Sequence, residues 1–277
     1  MNIFMRFPNG KSKALTLSYD DGVIQDKRLI EILKPYGLKA TFNINSGYIG
    51  DEDAVDSGRM SLKQIKELYT VSGHEVAIHG ATHPFLEKLP LPIAISEVLD
   101  DRKRLEEIFG GVIRGMAYPF GTYSDELIGA LKSTGIAYSR TVISTHDFRI
   151  PIDWFKLTAT CHHNDTVLPE LTDKFINAIP NKERFRREPL LFYLWGHSYE
   201  FDDRNNWEVI EKFAKKIGNR EDIWYATNIE IYDYVQAYNN LKFGVDGNCV
   251  YNLSGQTVWF EKNGVLCCVG ANELKML

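Results

Sequence analysis

Hydrophobic positions follow two alternating periods along the first 240 residues of the chain. Short apolar runs of four to eight residues, such as 14–19 and 190–195, have the composition of buried strands. Between them, apolar residues recur every three or four positions, as on amphipathic helices. Strands are predicted at residues 14–19, 39–45, 74–78, 115–118, 137–142, 155–161, 190–195 and 223–227. Helices are predicted at residues 24–36, 61–71, 92–109, 124–134, 173–178, 206–217 and 229–239.

Repeated strand–helix units indicate an α/β fold, with a parallel sheet and the helices outside it. Two predicted helices also have start signals: Ser61 with Gln64 is a capping box, and Ser124 caps the helix at 124–134. A (β/α) barrel and an open doubly wound sheet both fit this order of elements. The chain has neither GxGxxG nor GxxxxGK[ST], which weakens the nucleotide-binding form of the open sheet.

The last part of the chain has a different texture. Short β-rich runs are separated by Asp246-Gly247, Ser254-Gly255 and Asn263-Gly264, and such dipeptides are typical of hairpin turns. We therefore predict a main domain at residues 1–240 and a small all-β extension at residues 241–277. The extension either packs on the main domain or serves association, so a homo-oligomer is one expectation.

Composition limits the classes of function. The 277 residues are 44% hydrophobic with a net charge of -5, which indicates a globular protein and no basic face for nucleic acid. No apolar stretch is long enough for a signal peptide or a membrane span. Four cysteines without CxxC spacing are expected to be reduced thiols. These features together predict a cytoplasmic protein that does not engage membranes.

Polar motifs follow several of the predicted strands directly. Asp20 and Asp21 follow the first strand, His79 and His83 the third, and His197 the strand at 190–195. The segment at residues 118–121 follows the fourth strand. Because functional side chains collect at the carboxyl ends of parallel strands, these segments should converge on one face.

Two histidines and a carboxylate form a common catalytic metal set that leaves positions open for water and substrate. Asp21, His79 and His83 supply such a set, while Asp20 is free to act as a base. His197 would approach from the opposite side as a general acid. Either short motif alone is weak evidence, since an Asp-Asp-Gly turn or an HxxxH spacing often has no function. Their order at strand ends favours one shared site.

The sequence YDDG, then HGATHP, then AYPFG, then LWGHSYEF resembles the polysaccharide deacetylase family, a carbohydrate esterase type with a NodB-homology domain. The resemblance covers most of residues 12–235. It implies a distorted (β/α) barrel, usually of seven strands. It also implies hydrolytic removal of acetyl groups, mostly N-acetyl from amino sugars and sometimes O-acetyl from xylan.

The resemblance also implies roles for individual residues. Asp20 matches the catalytic base, and Asp21, His79 and His83 match the ligands of a divalent metal. That metal is usually zinc, with cobalt, nickel or manganese as alternatives. The backbone N–H of Phe120 would help to hold the oxyanion, and His197 would protonate the leaving amine.

The chain departs from the family in the groups that surround these residues. Many members have an arginine, which orients the catalytic Asp, where this chain has Ala117. Arg114 or Arg140 would have to replace it, and each could equally be an ordinary surface or helix-end cation. Asp153, followed by Trp154, is a candidate for the family's fourth motif.

Candidate substrate contacts come from residues close to the motifs. Aromatic side chains can stack on sugar faces, and a loop after a strand can line the site. The candidates are Tyr118, Pro119, Tyr123, Trp195, Tyr199 and, in the loop at 161–165, His163. Glu200 and Asp202 either orient His197 or are solvated charges.

Three functions therefore remain open at this point. The first is a metal-dependent deacetylase acting on an acetylated amino sugar or oligosaccharide. The second is a related amidohydrolase acting on a non-sugar amide or cyclic imide. The third is a carbohydrate-binding or assembly protein with a decayed site. Because Asp20, Asp21, His79 and His83 are all present, the sequence disfavours the third.

Overall fold

A computed structural model describes residues 2–50, 58–179 and 187–277. Parallel strands form a central sheet, and helices cover its outer face. The strands are Ile3–Arg6 (β1), Lys13–Asp20 (β2), Ala40–Ile44 (β3), Glu75–Ile78 (β4), Gly115–Ala117 (β5), Tyr138–Ser144 (β6), Leu157–Ala159 (β7), Cys161–His162 (β8), Leu190–Gly196 (β9), Ile223–Tyr225 (β10), Lys242–Phe243 (β11), Cys249–Tyr251 (β12), Val258–Lys262 (β13), Val265–Val269 (β14) and Leu274–Met276 (β15). The helices are Asp26–Leu33 (α1), Leu62–Thr70 (α2), Leu91–Phe109 (α3), Asp125–Leu131 (α4), Leu168–Asn177 (α5), Glu200–Asp203 (α6), Glu208–Ile217 (α7) and Asn228–Asn239 (α8).

The parallel strands close into a ring. Strands β2 to β6 pair in chain order, and β9 pairs with the other side of β2. The segment 157–162 bridges the gap, since β7 pairs with β6 and β8 pairs with β9. Between them, the N–H of Thr160 donates to the carbonyl of Tyr193 at 2.8 Å. With 157–162 counted as one strand, the described residues form a seven-stranded barrel, and β10 adds to the lower half of β2. The predicted α/β class is confirmed.

Alternation along each strand separates the two sides of the barrel wall. In β2, Leu15, Leu17 and Tyr19 point outward into the core beneath the helices. The intervening side chains point inward, where Thr16 bonds Asn228 of α8 at 2.8 Å. Asp20, the last residue of β2, therefore points into the mouth of the barrel.

Local signals explain most helix boundaries. The hydroxyl of Ser61 accepts from the N–H of Gln64 at 3.3 Å, and the Gln64 side chain accepts from the Ser61 N–H at 2.8 Å, as the capping box predicts. The predicted helix at 173–178 begins five residues earlier, at Leu168. Pro169 lies in its first turn, where a missing N–H costs nothing.

The C-terminal extension contains two hairpins, β11-β12 and β13-β14, at the predicted dipeptides Asp246-Gly247 and Asn263-Gly264, whereas Ser254-Gly255 connects strands of different sheets. Asn263 and Gly264 both have positive φ, 53° and 90°, as a two-residue hairpin turn of this type requires. The strands form two three-stranded sheets, β11-β12-β15 and β1-β13-β14, rather than one meander. The N-terminal strand β1 thus pairs with the extension, which the sequence pattern did not predict.

Among the described residues, no helix is both long and apolar enough to cross a membrane.

Candidate active site

The predicted motifs meet at the carboxyl end of the barrel. Asp20 ends β2, His79 follows β4 and His197 follows β9. The Nε2 atoms of both histidines lie 3.8 Å from Oδ2 of Asp20. Side chains from separate parts of the sequence therefore surround one small space.

Three of these residues have the geometry of a metal-ligand set. Oδ1 of Asp21 lies 3.9 Å from Nε2 of His79 and 3.8 Å from Nε2 of His83, and the three ligand atoms lie within 4.8 Å of one another. Ligands of a tetrahedral zinc ion are roughly 3.4 Å apart, given bonds of about 2.1 Å. Nδ1 of His79 lies 2.8 Å from the carbonyl of Ala117. Donation to that carbonyl leaves the Nε2 lone pair free, so the residues fit a divalent metal.

Two buried polar residues hold the backbone around His79. The carboxylate of Asp101 accepts the N–H of His79 at 3.0 Å and that of Ser46 at 2.8 Å. The amide of Asn45 donates to the carbonyls of His79 and Gly80, each at 2.7 Å. The sequence reasoning missed both. The available signal was the position of Asp101 on the apolar face of α3, three residues after Val98.

Backbone strain is concentrated at this site. Asp21, His83 and Phe120 have φ values of 80°, 55° and 58°. Side-chain-bearing residues rarely adopt this conformation, and the surrounding structure must impose it. The strained turns place the two metal-ligand side chains and the Phe120 peptide at the barrel mouth.

Arg140 supplies the cation that is absent at Ala117. Its guanidinium forms an ion pair with Asp20 inside the barrel, where both side chains are almost fully buried, and lies 4.5 Å from the Trp195 ring centroid. Asn43 donates to the other Asp20 oxygen at 2.8 Å. Burial raises the pKa of Asp20, but Arg140, His79 and His197 together lower it to about 2. Asp20 is therefore ionised at neutral pH.

Arg114 and Asp153, which we also predicted near Asp20, do not reach the site. Arg114 precedes β5 and pairs with Asp233 of α8 at 2.5 Å, at the opposite end of the barrel. Asp153 is exposed and accepts the N–H of Phe155 at 3.0 Å, which caps the turn before β7. Both lie at the amino ends of their strands, so neither can orient Asp20.

Most of the residues predicted as substrate contacts are buried or face away from the metal-ligand residues. Tyr118 points outward, and its hydroxyl donates to the carbonyl of Phe155 at 3.0 Å. Trp195 points into the barrel beneath Arg140. His163 is fully buried against the rings of Tyr19 and Phe201.

The remaining three candidates divide differently. Pro119 is buried, and Tyr123 contacts Tyr118 and Lys156 rather than the metal-ligand residues. Tyr199 is partly exposed, and its ring centroid lies 5.3 Å from that of His197. Proximity in sequence indicated aromatic residues near the motifs, but it did not give the direction of their side chains.

His197 lies between two carboxylates. Its Nε2 faces Asp20, and its Nδ1 lies 3.2 Å from Oε1 of Glu200. Burial lowers the pKa of His197, but the hydrogen bond that it donates to Glu200 and the charge of Asp20 outweigh burial, so the net shift is upward. This environment favours the protonated imidazolium, which is the form of a general acid.

Glu200 is fixed by donors from the closing segment of the barrel. Its Oε2 lies 2.8 Å from the Asn164 amide, 2.9 Å from Nε2 of His163 and 3.3 Å from Nε2 of His162. Nδ1 of His162 accepts the N–H of Asn164, so its Nε2 carries the proton and points it at Glu200. His162, His163 and Glu200 have metal-like spacing. The tautomer of His162 turns a proton rather than a lone pair toward this space, so the group supports Glu200 beside His197.

Comparisons with known structures agree with this fold. A structure from Mycobacterium smegmatis matches 84% of this chain and 93% of its own, with a TM-score of 0.59 and 17% identity. A Bacillus anthracis protein described as a pseudoenzyme matches 83% of this chain and 68% of its own, with a TM-score of 0.50 and 16% identity. Identities this low establish the fold and not the activity.

Sequence comparisons indicate one protein family. A poly-β-1,6-N-acetyl-D-glucosamine N-deacetylase of Staphylococcus aureus is 26% identical over 147 residues, which are 48% of each chain. The chain thus spans about half the length of that relative. The family model for polysaccharide deacetylase matches residues 8–139. These residues include the Asp20-Asp21 turn, both metal-site histidines and the Phe120 segment. The chain therefore resembles the polysaccharide deacetylase family over residues 8–139.

Proposed function

We propose that this protein is a metal-dependent hydrolase that removes acetyl groups, chiefly N-acetyl, from an acetylated amino sugar or oligosaccharide. One observation supports this above all others. The ionised Asp20 and the proton-bearing His197 face each other 3.8 Å apart, beside the ligand set of Asp21, His79 and His83. A base, an acid and a metal site in one mouth are what hydrolysis of an amide needs.

Zinc is the metal we propose, because two imidazoles and one carboxylate are typical of catalytic zinc sites with open positions. When bound, the ion would polarise the acetyl carbonyl and make water more acidic. Asp21, His79 and His83 would hold it.

The residues of this chain would then divide the work. Asp20 accepts a proton from the attacking water, and Arg140 and Asn43 fix the direction of its carboxylate. None of the hydrogen bonds among the described residues uses the Phe120 N–H, so it is available as a donor to the developing oxyanion.

His197 completes the reaction by giving its Nε2 proton to the leaving nitrogen. An amine leaves poorly without that proton, so the acid matters more for an amide than for an ester. Glu200 holds Nδ1 and leaves Nε2 directed at the site. We therefore expect His197→Ala to lose more activity on an N-acetyl sugar than on an O-acetyl sugar.

The comparisons support the choice of substrate class. The Staphylococcus relative is named as an N-deacetylase of an N-acetylglucosamine polymer. The pseudoenzyme with the same fold shows that the fold alone does not establish activity. In this chain, the support comes from the residues that meet at the barrel mouth.

The test compares wild type with Asp21→Ala. Asp125→Ala is the matched control, because the Asp125 side chain on α4 is exposed. Bound divalent metal is quantified, and acetate release is measured with N-acetylglucosamine oligomers and acetylated xylan. We expect one metal ion per chain and acetate release, both lost in Asp21→Ala and kept in Asp125→Ala.

Two other outcomes would contradict the proposal in different ways. Metal without acetate release would favour the amidohydrolase of a non-sugar amide or cyclic imide. A folded protein with neither metal nor activity would favour the binding or assembly function.

A further inference from the structure

An aromatic column runs from the surface to the metal-ligand set. The rings of Phe85 and Phe120 are stacked, with centroids 3.8 Å apart and planes 10° from parallel. Phe120 meets His83 in a T-shaped contact at 4.5 Å. Nζ of Lys88 lies 3.8 Å from the Phe85 centroid, on the face that Phe120 leaves free. Three side chains, Lys88, Phe85 and Phe120, thus connect solvent to the imidazole of His83.

Core packing does not explain this column. Phe85 and Phe120 are 36% and 46% exposed, so the pair leaves much apolar surface in water. A platform for a sugar ring does not explain Phe85 either, because Phe120 covers one face of its ring and Lys88 covers the other. The main contact of the Phe85 ring is with Phe120, a residue of the site.

Phe120 needs external support. It has φ 58° and ψ 3°, which is left-handed backbone that a bulky side chain adopts only when its surroundings impose it. The following N–H, of Gly121, bonds the carbonyl of Tyr118 at 2.9 Å and holds one end of the turn. The stacked Phe85 ring restrains the side chain of Phe120. The Phe120 peptide, with its unused N–H, is therefore held from both directions.

We propose that Phe85, backed by Lys88, is a positioning residue of the active site. Its ring fixes Phe120, and through Phe120 it fixes both the His83 imidazole and the peptide N–H that faces the reaction. The inference has two separable parts. Orientation of His83 concerns metal affinity, whereas orientation of the N–H rests on the proposed deacetylase function.

The experiment compares Phe85→Ala, Phe85→Tyr and wild type. Tyr251→Ala is the matched control, because Tyr251 is 38% exposed and lies on a sheet of the C-terminal extension. Zinc affinity is measured by competition with a chromogenic chelator. Values of kcat and KM are measured separately with an N-acetylglucosamine oligomer.

We expect Phe85→Ala to weaken zinc binding roughly tenfold, as loss of a support behind a metal-ligand residue does. It should lower kcat by about tenfold to a hundredfold, since one oxyanion donor is worth roughly a hundredfold or more. KM should change by less than about twofold, because the interaction acts in the transition state. Phe85→Tyr should restore both values, and Tyr251→Ala should match wild type.

Three results would overturn the inference. Unchanged zinc affinity and kcat in Phe85→Ala would show that the column is not needed. A higher KM alone would make Phe85 a substrate contact. Failure of Phe85→Tyr to restore the losses would show that stacking is not the cause.

If Phe85→Ala does not fold, Phe85→Leu is compared in its place. If wild type binds zinc but releases no acetate, the proposed function fails while the zinc measurement still tests Phe85.

Discussion

The ion pair inside the barrel gives a sharp test of how the site is held. Arg140→Met replaces the guanidinium with an uncharged side chain that still fills much of the space beside Trp195. Asp20 then keeps the hydrogen bond from Asn43 but loses its buried cation. A carboxylate without a cation in this position is costly, because burial disfavours its charged form.

The magnitude follows from the pKa of Asp20. A shift from 3.8 to about 2 corresponds to roughly 2.5 kcal/mol of stabilisation at neutral pH. Breaking a buried pair by removing one partner typically costs about 3–5 kcal/mol. We therefore expect Arg140→Met to lower the free energy of unfolding by about 3 kcal/mol or slightly more.

The dependence on pH has a definite sign. The folded-state pKa of Asp20 lies below its unfolded value, so its contribution is present above about pH 4 and is lost as pH falls through about 2. In Arg140→Met, the pKa of Asp20 rises, because burial still raises it while the largest lowering influence, the charge of Arg140, is gone. The cost of the substitution should therefore be larger at pH 7 than at pH 3.

Urea unfolding of the chelator-treated protein measures these differences. The double variant Asp20→Asn/Arg140→Met should recover a large part of the loss, because it buries no unpaired charge. Arg114→Met is the control, since its pair with Asp233 is about two-fifths exposed and should be worth less than about 1 kcal/mol. If Arg140→Met costs no more than Arg114→Met, or the double variant recovers nothing, the reasoning is refuted.

Two further substitutions test the supports on either side of the site. Glu200→Gln removes the charge that raises the pKa of His197. The alkaline limb of the kcat/KM profile against pH should therefore move to lower pH. An equal loss of kcat/KM at every pH would contradict this role of Glu200. Asp101→Asn turns an amide N–H₂ toward one of the backbone N–H groups of Ser46 and His79. The free energy of unfolding in urea should therefore fall by about 1–3 kcal/mol, and zinc binding should weaken. Zinc affinity equal to that of wild type would show that Asp101 does not position His79.

Much of the site could be predicted because parallel strands end on one side. Asp20 ends a buried strand and His79 and His197 each follow one, so convergence required only the correct strand assignment. Closure into a barrel was harder to predict. It depends on the segment 157–162 changing its partner at Thr160, and a pairing across the chain leaves no local periodicity.

Side-chain direction separates the predicted residues that line the barrel mouth from those that do not. Trp195 and His197 are two apart, yet Trp195 lies within the barrel and His197 lies at its mouth. His162 and His163 are adjacent, yet His162 contacts Trp195 whereas His163 packs against Tyr19 and Phe201. A shift of one residue reverses the side of a strand, so an aromatic beside a motif is as often behind the wall as in the cleft.

The two halves of the site are supported by different parts of the fold. The metal-ligand set comes from the ends of β2 and β4 and is held by Asp101 of α3. The acid His197 is held by Glu200, which is fixed in turn by residues 162–164 of the closing segment. Damage to the closing segment should therefore disturb proton transfer before it disturbs metal binding. For the same reason, Glu200→Gln should leave zinc affinity intact while Asp101→Asn lowers it, so the two variants separate the acid from the metal site within one barrel.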